Sequence, residues 1–420
     1  MEIKKLALSL YATIFVIVLA IFGAYWFFSR SFATLIVKPV NAIVKIDDKI
    51  YKASASGLIK AVIEPGLHSV AIEAPGFIGR TYSLNFKRGN AKPYNIFLNE
   101  FPSAINIAKD GLFLTKGAGF NDGYFYDPAK KTLYRFKLTV SEKSGEIEIT
   151  EMQAITDPKI NDIREIIWSP SRDLALFRKG NGVINLFNFM KYDFLHQTET
   201  HWGNDIASIA WAPDNTEIAY YLQSPDGTRP LMLASHTNKE TVRGTELKTI
   251  GIENPLLRWS PDSQKILLIP RSKDTAKNKV FSFDISARST VELTENGNQT
   301  DALFSPNGEK ILYSTATTTP AGSKSVISIM NSDGSDKKEL NLSADISKII
   351  WNKDSRHIIV ASLNPNGEES IYRFDTENAE KTGFSLSNLG GASIQSLYLT
   401  EDEKIIVFQT DDGISALKIN

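Results

Sequence analysis

The chain has 420 residues, no cysteine, a formal net charge of -1 and 42% hydrophobic residues. It is too long for one ordinary domain and too balanced in charge for a disordered or strongly nucleic-acid-seeking protein. Without cysteine, disulfides, thiolate catalysis and Cys-ligated zinc are excluded.

At the N-terminus, Lys4 and Lys5 precede an uncharged run from Leu6 to Phe28 that closes on Tyr25-Trp26-Phe27-Phe28. As a helix these 23 residues would rise about 35 Å, enough to cross a bilayer. The lysines and the aromatic belt predict a single-pass anchor over 6–28 with residues 1–5 as a cytoplasmic tip. The bulk of the chain would then lie outside the cytoplasm, on the cell membrane. A cleaved signal peptide is the alternative, with Ser31-Phe32-Ala33 as the small-x-small site.

Residues 31–98 read as a small β-sandwich, because short alternating runs are broken by Asp47-Asp48, Pro65-Gly66 and Pro75-Gly76. The pattern resembles the PEGA domain, a β-module of bacterial and archaeal envelope proteins. The matching residues are Leu35-Ile36-Val37-x-Pro39, Ala42-x-Val44-x-Ile46-Asp47, Pro65-Gly66-x-His68-x-Val70 and Gly76-Phe77. The chain departs from the family at Pro39-Val40-Asn41-Ala42, where Pro-Glu-Gly-Ala is usual, and lacks the Gly-x-x-Pro after the first hairpin. His68 sits on an alternating strand with no second ligand nearby, which predicts a structural role.

From residue 99 to the end, one unit repeats. Trp168, Trp211, Trp259, Phe304, Trp351 and Tyr398 each stand before a polar turn flanked by strand-formers. The steps between them are 43, 48, 45, 47 and 47 residues, the period of propeller blades. Four turns carry proline, at Pro170, Pro213, Pro261 and Pro306, in the second place of a type I turn. The last two copies lack it. The aromatics are expected to pack between neighbouring sheets, where a large rigid side chain buries on the order of 200 Å². This hairpin resembles the repeat of TolB-like propellers, close to Trp-Ser-Pro-Asp-Gly-x-x-Ile.

Ile105 to Leu114 reads as a degenerate first hairpin, which predicts seven blades, with six as the alternative. The last repeat supplies three strands, so a strand over Asn99–Ile105 is expected to close the ring. The predicted fold is all-β apart from the N-terminal transmembrane helix: a sandwich followed by a propeller. Outer loops such as Ser224–Arg229 and Thr315–Gly322 are candidates to line a face.

Chemistry is sparse. His196 and His201 are five apart, and no His-Glu-x-x-His, P-loop, dinucleotide fingerprint or Gly-x-Ser-x-Gly elbow occurs. Asp333-Gly334 and Asp411-Asp412-Gly413 do not continue into a calcium loop. No catalytic residue, metal ligand or cofactor is assigned, and no run of Lys and Arg interleaved with aromatics calls for nucleic acid.

The leading expectation is a non-enzymatic, membrane-anchored binding or scaffolding protein of the cell envelope. Its propeller would be a platform for an envelope protein or a cell-wall glycan. The alternatives are a sensor or assembly subunit acting through a membrane partner, and a polysaccharide lyase or glycosidase with its site in the propeller funnel.

Overall fold

The computed structural model describes residues 13–419 apart from 24, 26–28, 75–76, 78, 91, 99–103, 143, 158, 180–186, 223–226, 238–243, 320–321, 364–368 and 386–392. It divides the chain into two compact units. One takes Met1–Phe101 with Glu380–Ser387, the other Pro102–Ala379 with Asn388–Asn420.

The N-terminal expectation is corrected first. The helix is described without a break over residues 13–23, a stretch of eleven residues that rises about 16 Å against a hydrocarbon core of about 30 Å. Among the described residues, no helix is long and apolar enough to cross a membrane. Residues 6–12, 24 and 26–28 of the predicted span lie outside the described residues. The transmembrane helix, and the single-pass cell-membrane topology drawn from it, are therefore withdrawn.

In the first unit, Ser31–Lys38 pairs with Leu58–Ile63 antiparallel and with Tyr94–Phe97 parallel. A second sheet orders Lys49–Lys52, Ile43–Ile46, Gly66–Glu73 and Arg80–Phe86. Alternation decides which side of each strand is buried: Leu35, Val37, Val44, Val70 and Ile72 are fully inside, while Ile43 is 48% exposed. Residues from both sheets form one core, so this is a sandwich.

His68 sits in that sandwich with both ring nitrogens engaged. Nδ1 lies 2.6 Å from Asp47 Oδ2, and Nε2 lies 2.8 Å from the Glu64 carbonyl oxygen. A carboxylate and a carbonyl both accept, so the pair of contacts favours the imidazolium. The hydrogen bond to Asp47 raises the His68 pKa above its ordinary value, and the same bond lowers that of Asp47. A raised histidine stabilises the fold fully below its unfolded pKa of about 6.5 and loses that contribution as pH rises through the higher folded value. Thermal melts of the whole protein should thus show wild type more stable than His68→Gln at pH 6, with the gap closing at alkaline pH. A gap independent of pH would mean that the ring is neutral.

The second unit consists of four-stranded sheets made from consecutive strands, the topology of propeller blades. Blade 1 is Leu112–Lys116, Asp122–Asp127, Thr132–Val140 and Ile147–Ala154. Blades 2 and 3 share one long strand, Thr198–Trp211, which ends the former and begins the latter. That sharing produces a seven-stranded sheet from Ile163–Trp168 to Thr245–Thr249. Blade 4 runs from Leu256–Trp259 to Ser289–Glu292 and blade 5 from Gln299–Phe304 to Lys338–Ser343, and blade 6 contains Ile349–Trp351, His357–Leu363 and Glu369–Asp375. Blade 7 contains Ile394–Leu399, Ile405–Thr410 and Gly413–Lys418. Counted through the shared strand, the described residues build seven blades.

Closure differs from the expectation in its strand. Gly413–Lys418 pairs antiparallel with Ile105–Lys109, Gly413 opposite Lys109 and Ala416 opposite Ile105. The closing strand is therefore Ile105–Lys109 and not Asn99–Ile105, of which 99–103 lie outside the described residues. The same strand is thereby removed from the supposed first hairpin, and the inner strand of blade 1 is Leu112–Lys116. Residues 315–319 of the expected loop 315–322 are strand, and 320–321 lie outside the described residues. The threonines of 315–319 extend the strand Lys310–Thr319, as β-branched residues favour.

Cores lie between blades. Tyr124, Tyr126 and Leu133 of blade 1 pack with Trp168, Phe177 and Tyr192 of blade 2, and the other described clusters repeat the arrangement.

The repeat's turn is now explicable. In each of six copies the fourth turn residue has a left-handed backbone: Arg172, Asn215, Ser263, Gly308, Ser355 and Glu403, with φ of 63, 64, 58, 74, 55 and 56 degrees. Glycine is cheapest there, yet only one copy uses it. The side chains have another task, reaching back to the turn of the preceding blade. Ser263 Oγ accepts the Asp214 N–H, Ser355 Oγ accepts the Asn307 N–H, and Arg172 Nε donates to the Lys116 carbonyl. Ser263→Ala and Ser355→Ala should each cost about 1 kcal/mol, additively because their seams are distant. Denaturant melts read this, and a double variant no weaker than either single one would refute the ring of turn-to-turn bonds.

Candidate functional site

Inner strands line a propeller's channel, so an axial ligand meets them first. Five inner strands are bulged near their start. The shifts fall between Leu112 and Thr115, Ile163 and Glu165, Ile206 and Ser208, Gln299 and Asp301, and Ile394 and Ser396. Those of blades 4 and 6 pair without a shift. A bulge inserts one residue and re-aims its side chain away from the regular alternation. In blades 2 and 7 the inserted residues are Arg164 and Gln395, and both border a cavity of about 420 Å³ along blades 7, 1 and 2.

Blade 1 contributes the most unusual backbone. Phe113 has φ of 55 degrees, an outlier for a bulky side chain, and its ring lies 6.1 Å from that of Tyr126. The bulge takes the Leu114 N–H out of the ladder, and Gln409 Oε1 of blade 7 accepts it at 3.0 Å. Gln409 Nε2 in turn donates to Gln395 Oε1 at 2.6 Å, and Gln395 Nε2 donates to Asp411. A chain of amides thus holds the strained strand across the ring seam. Such strain persists only where its surroundings over-determine it, and it clusters at binding sites.

The charges around the cavity are unequal. Glu165, the single carboxylate of its lining, is ion-paired with Arg178 at 3.1 Å. Arg164 is exposed and makes no ion pair among the described residues. Farther round the channel, Arg258 and Asp301 neutralise each other at 2.8 Å. Among the described residues, no group of three or more His, Asp or Glu is placed to hold a metal ion. A second cavity, of about 210 Å³, lies on one sheet of the sandwich beside Phe32, Thr34 and Lys60. It has half the volume and fewer convergent polar groups.

The residues singled out from the repeat occupy structural places. Trp168, Trp211, Phe304 and Trp351 are buried between blades, whereas Trp259 is partly exposed and donates its indole N–H to the Ala210 carbonyl at 3.0 Å. Trp168 alone of these also borders the cavity, with its ring stacked on Phe194 at 5.1 Å. Tyr398 is corrected. The Thr400 N–H bonds the Ile405 carbonyl as Ser260 bonds Lys265, which puts Leu399 in the tryptophan place and turns Tyr398 to the opposite face. Pro170, Pro213, Pro261 and Pro306 hold the second turn position. Its equivalents in the last two copies are Lys353 and Glu401, which pair with each other. Glu401 also meets Lys116 of blade 1 at 2.7 Å, and the two lysine hydrogen bonds hold its pKa down to about 2. Phe113, Arg164, Gln395 and Gln409 were not singled out from sequence, because a bulge is a property of strand register and leaves no local signal.

No family model matches the chain, and no curated protein does. Solved structures do. Hydrazine synthase from Kuenenia stuttgartiensis has a TM-score of 0.50 at 11% identity, over 75% of this chain and 97% of that one. An oligogalacturonate lyase in complex with manganese has a TM-score of 0.50 at 10% identity, over 76% of this chain and 98% of that one. A putative TolB from Agrobacterium tumefaciens has a TM-score of 0.40 at 13% identity, over 64% of this chain and 94% of that one. At such identities the likeness shows a β-propeller fold and carries no activity with it.

Proposed function

We propose that this chain is a non-enzymatic binding protein that takes a segment of a protein or glycan at the channel mouth formed by blades 7, 1 and 2. The cavity on the bulged strands carries this reading, since it combines the rings of Phe113 and Trp168, the hydroxyls of Thr115 and Ser396, and Arg164, which makes no ion pair among the described residues. Its single carboxylate is tied up in an ion pair, whereas glycoside hydrolysis uses two carboxyl groups flanking the scissile bond. The sandwich is a PEGA-like module in this reading, supported by its two facing sheets and the motifs they carry.

A photo-crosslinking side chain at Arg164 should give a discrete adduct in cells, and one at Val291, on an outer strand, should not. Phe113→Ala should abolish the Arg164 adduct. Equal labelling at both positions would remove the site. Turnover of a polysaccharide, lost in Glu165→Gln, would replace binding by lyase or hydrolase chemistry.

A further inference from the structure

The charge of this protein is strongly divided. Residues 31–98 carry nine Lys and Arg against four Asp and Glu, while residues 99–420 carry 35 against 43. The sandwich is therefore net +5 and the propeller net -8 within a chain that is almost neutral. Such asymmetry concentrates attraction for polyanions on the small module and repels them from the larger one.

One face of the sandwich gathers the chemistry. Register sets Ile50, Lys45, Ala71 and Thr81 side by side across all four strands of the second sheet. Beside that row lie Lys52 opposite Ile43, and Ser69 opposite Ser83. Lys45, Lys52, Thr81 and Ser83 are exposed, as are Ile43 at 48% and Ile50 at 67%. Lys45 has one ion-pair contact, to Asp48 at 3.8 Å, and Asp48 is fully exposed, so the pair leaves the charge available. Glu73, opposite Ile43, is the acidic exception on the face.

We infer that this face binds an anionic glycan, a polymer bearing carboxylates on a hydroxyl-rich backbone. Lysines supply point charges for the carboxylates. Ser69, Thr81 and Ser83 supply donors and acceptors for hydroxyls, and Ile43 and Ile50 offer flat apolar area for the C–H faces of sugar rings. Nucleic acid fits less well, since no aromatic side chain stands on this face to stack a base. A folded acidic protein would find no aromatic or Arg anchor there. The surface is independent of the channel site.

Fluorescence anisotropy of the full-length protein with labelled alginate oligomers tests this. Wild type should bind, with affinity falling as salt rises, and neutral dextran should not bind. Lys45→Glu/Lys52→Glu should weaken alginate binding by at least about tenfold with an unchanged melt, and Lys45→Gln/Lys52→Gln should weaken it by less. Thr81→Val/Ser83→Ala should also weaken it. Absence of alginate binding, or binding indifferent to the lysine variants, would overturn the inference. So would tighter binding of polyphosphate, single-stranded DNA or phosphatidylglycerol vesicles than of alginate.

Discussion

A chain ending before Gly413 is expected to aggregate rather than to melt as a cooperative monomer. Gly413–Lys418 pairs with Ile405–Thr410 on one side and with Ile105–Lys109 on the other, so its loss bares two strand edges at once. The newly exposed Ile405–Thr410 is buried along its whole length, with Ile405, Ile406, Val407 and Phe408 fully inside. Four consecutive apolar residues on an open edge are a template for pairing with another chain. Ile414 and Ala416 also belong to the core shared with Phe125 and Phe136 of blade 1, which would be opened in the same step. Size-exclusion chromatography and thermal melts would report it. A milder version is Gly413→Ala. At φ of 124 degrees its added Cβ would stand 2.2 Å from the Ala108 carbonyl oxygen, so it should weaken closure without removing the strand. A well-behaved monomer lacking 413–418 would show that Ile105–Lys109 does not close the ring.

Blades were legible in the sequence because their signal is local. A polar turn of fixed length between strand-formers recurs with its period, and hydroxyls such as those of Ser260 and Ser305 close it on residues five ahead. The last copy shows the limit of reading by residue type. An aromatic at Tyr398 draws the alignment one place from Leu399, and one place on a strand is the opposite face. The bulges at Arg164 and Gln395, and the amide chain through Gln409, depend on partners in other blades more than 200 residues away in the case of Leu114 and Gln409. Nothing in a local window encodes them. The uncharged run from Leu6 fits a span by length and composition, but the helix is described without a break only over residues 13–23 of it.

The corrected position of Tyr398 makes a second large effect predictable. Its ring lies in the core between blades 7 and 1, and its hydroxyl is buried with no hydrogen-bond partner among the described residues. Burial pushes its pKa well above the ordinary value, with the nearby Asp122 carboxylate adding to the rise. Gly123 is what leaves room for it. A Cβ there would stand 2.2 Å from Tyr398 Oη and 2.3 Å from Phe136 Cζ, and Phe136 is itself fully buried. Neither ring can yield without disturbing the neighbouring blade, so Gly123→Ala should cost about 3 kcal/mol, the upper end for an overpacked core. Tyr398→Phe alone should instead raise stability by about 1 kcal/mol, because it removes a desolvated hydroxyl that gains nothing in return. In Gly123→Ala/Tyr398→Phe the clashing oxygen is gone, and the double variant should recover part of the loss beyond the sum of the two single effects. Denaturant melts of the four proteins measure that coupling. Simple additivity would mean that the alanine is accommodated by a shift of the strand, and that the seam between blades 7 and 1 is looser than its buried rings imply.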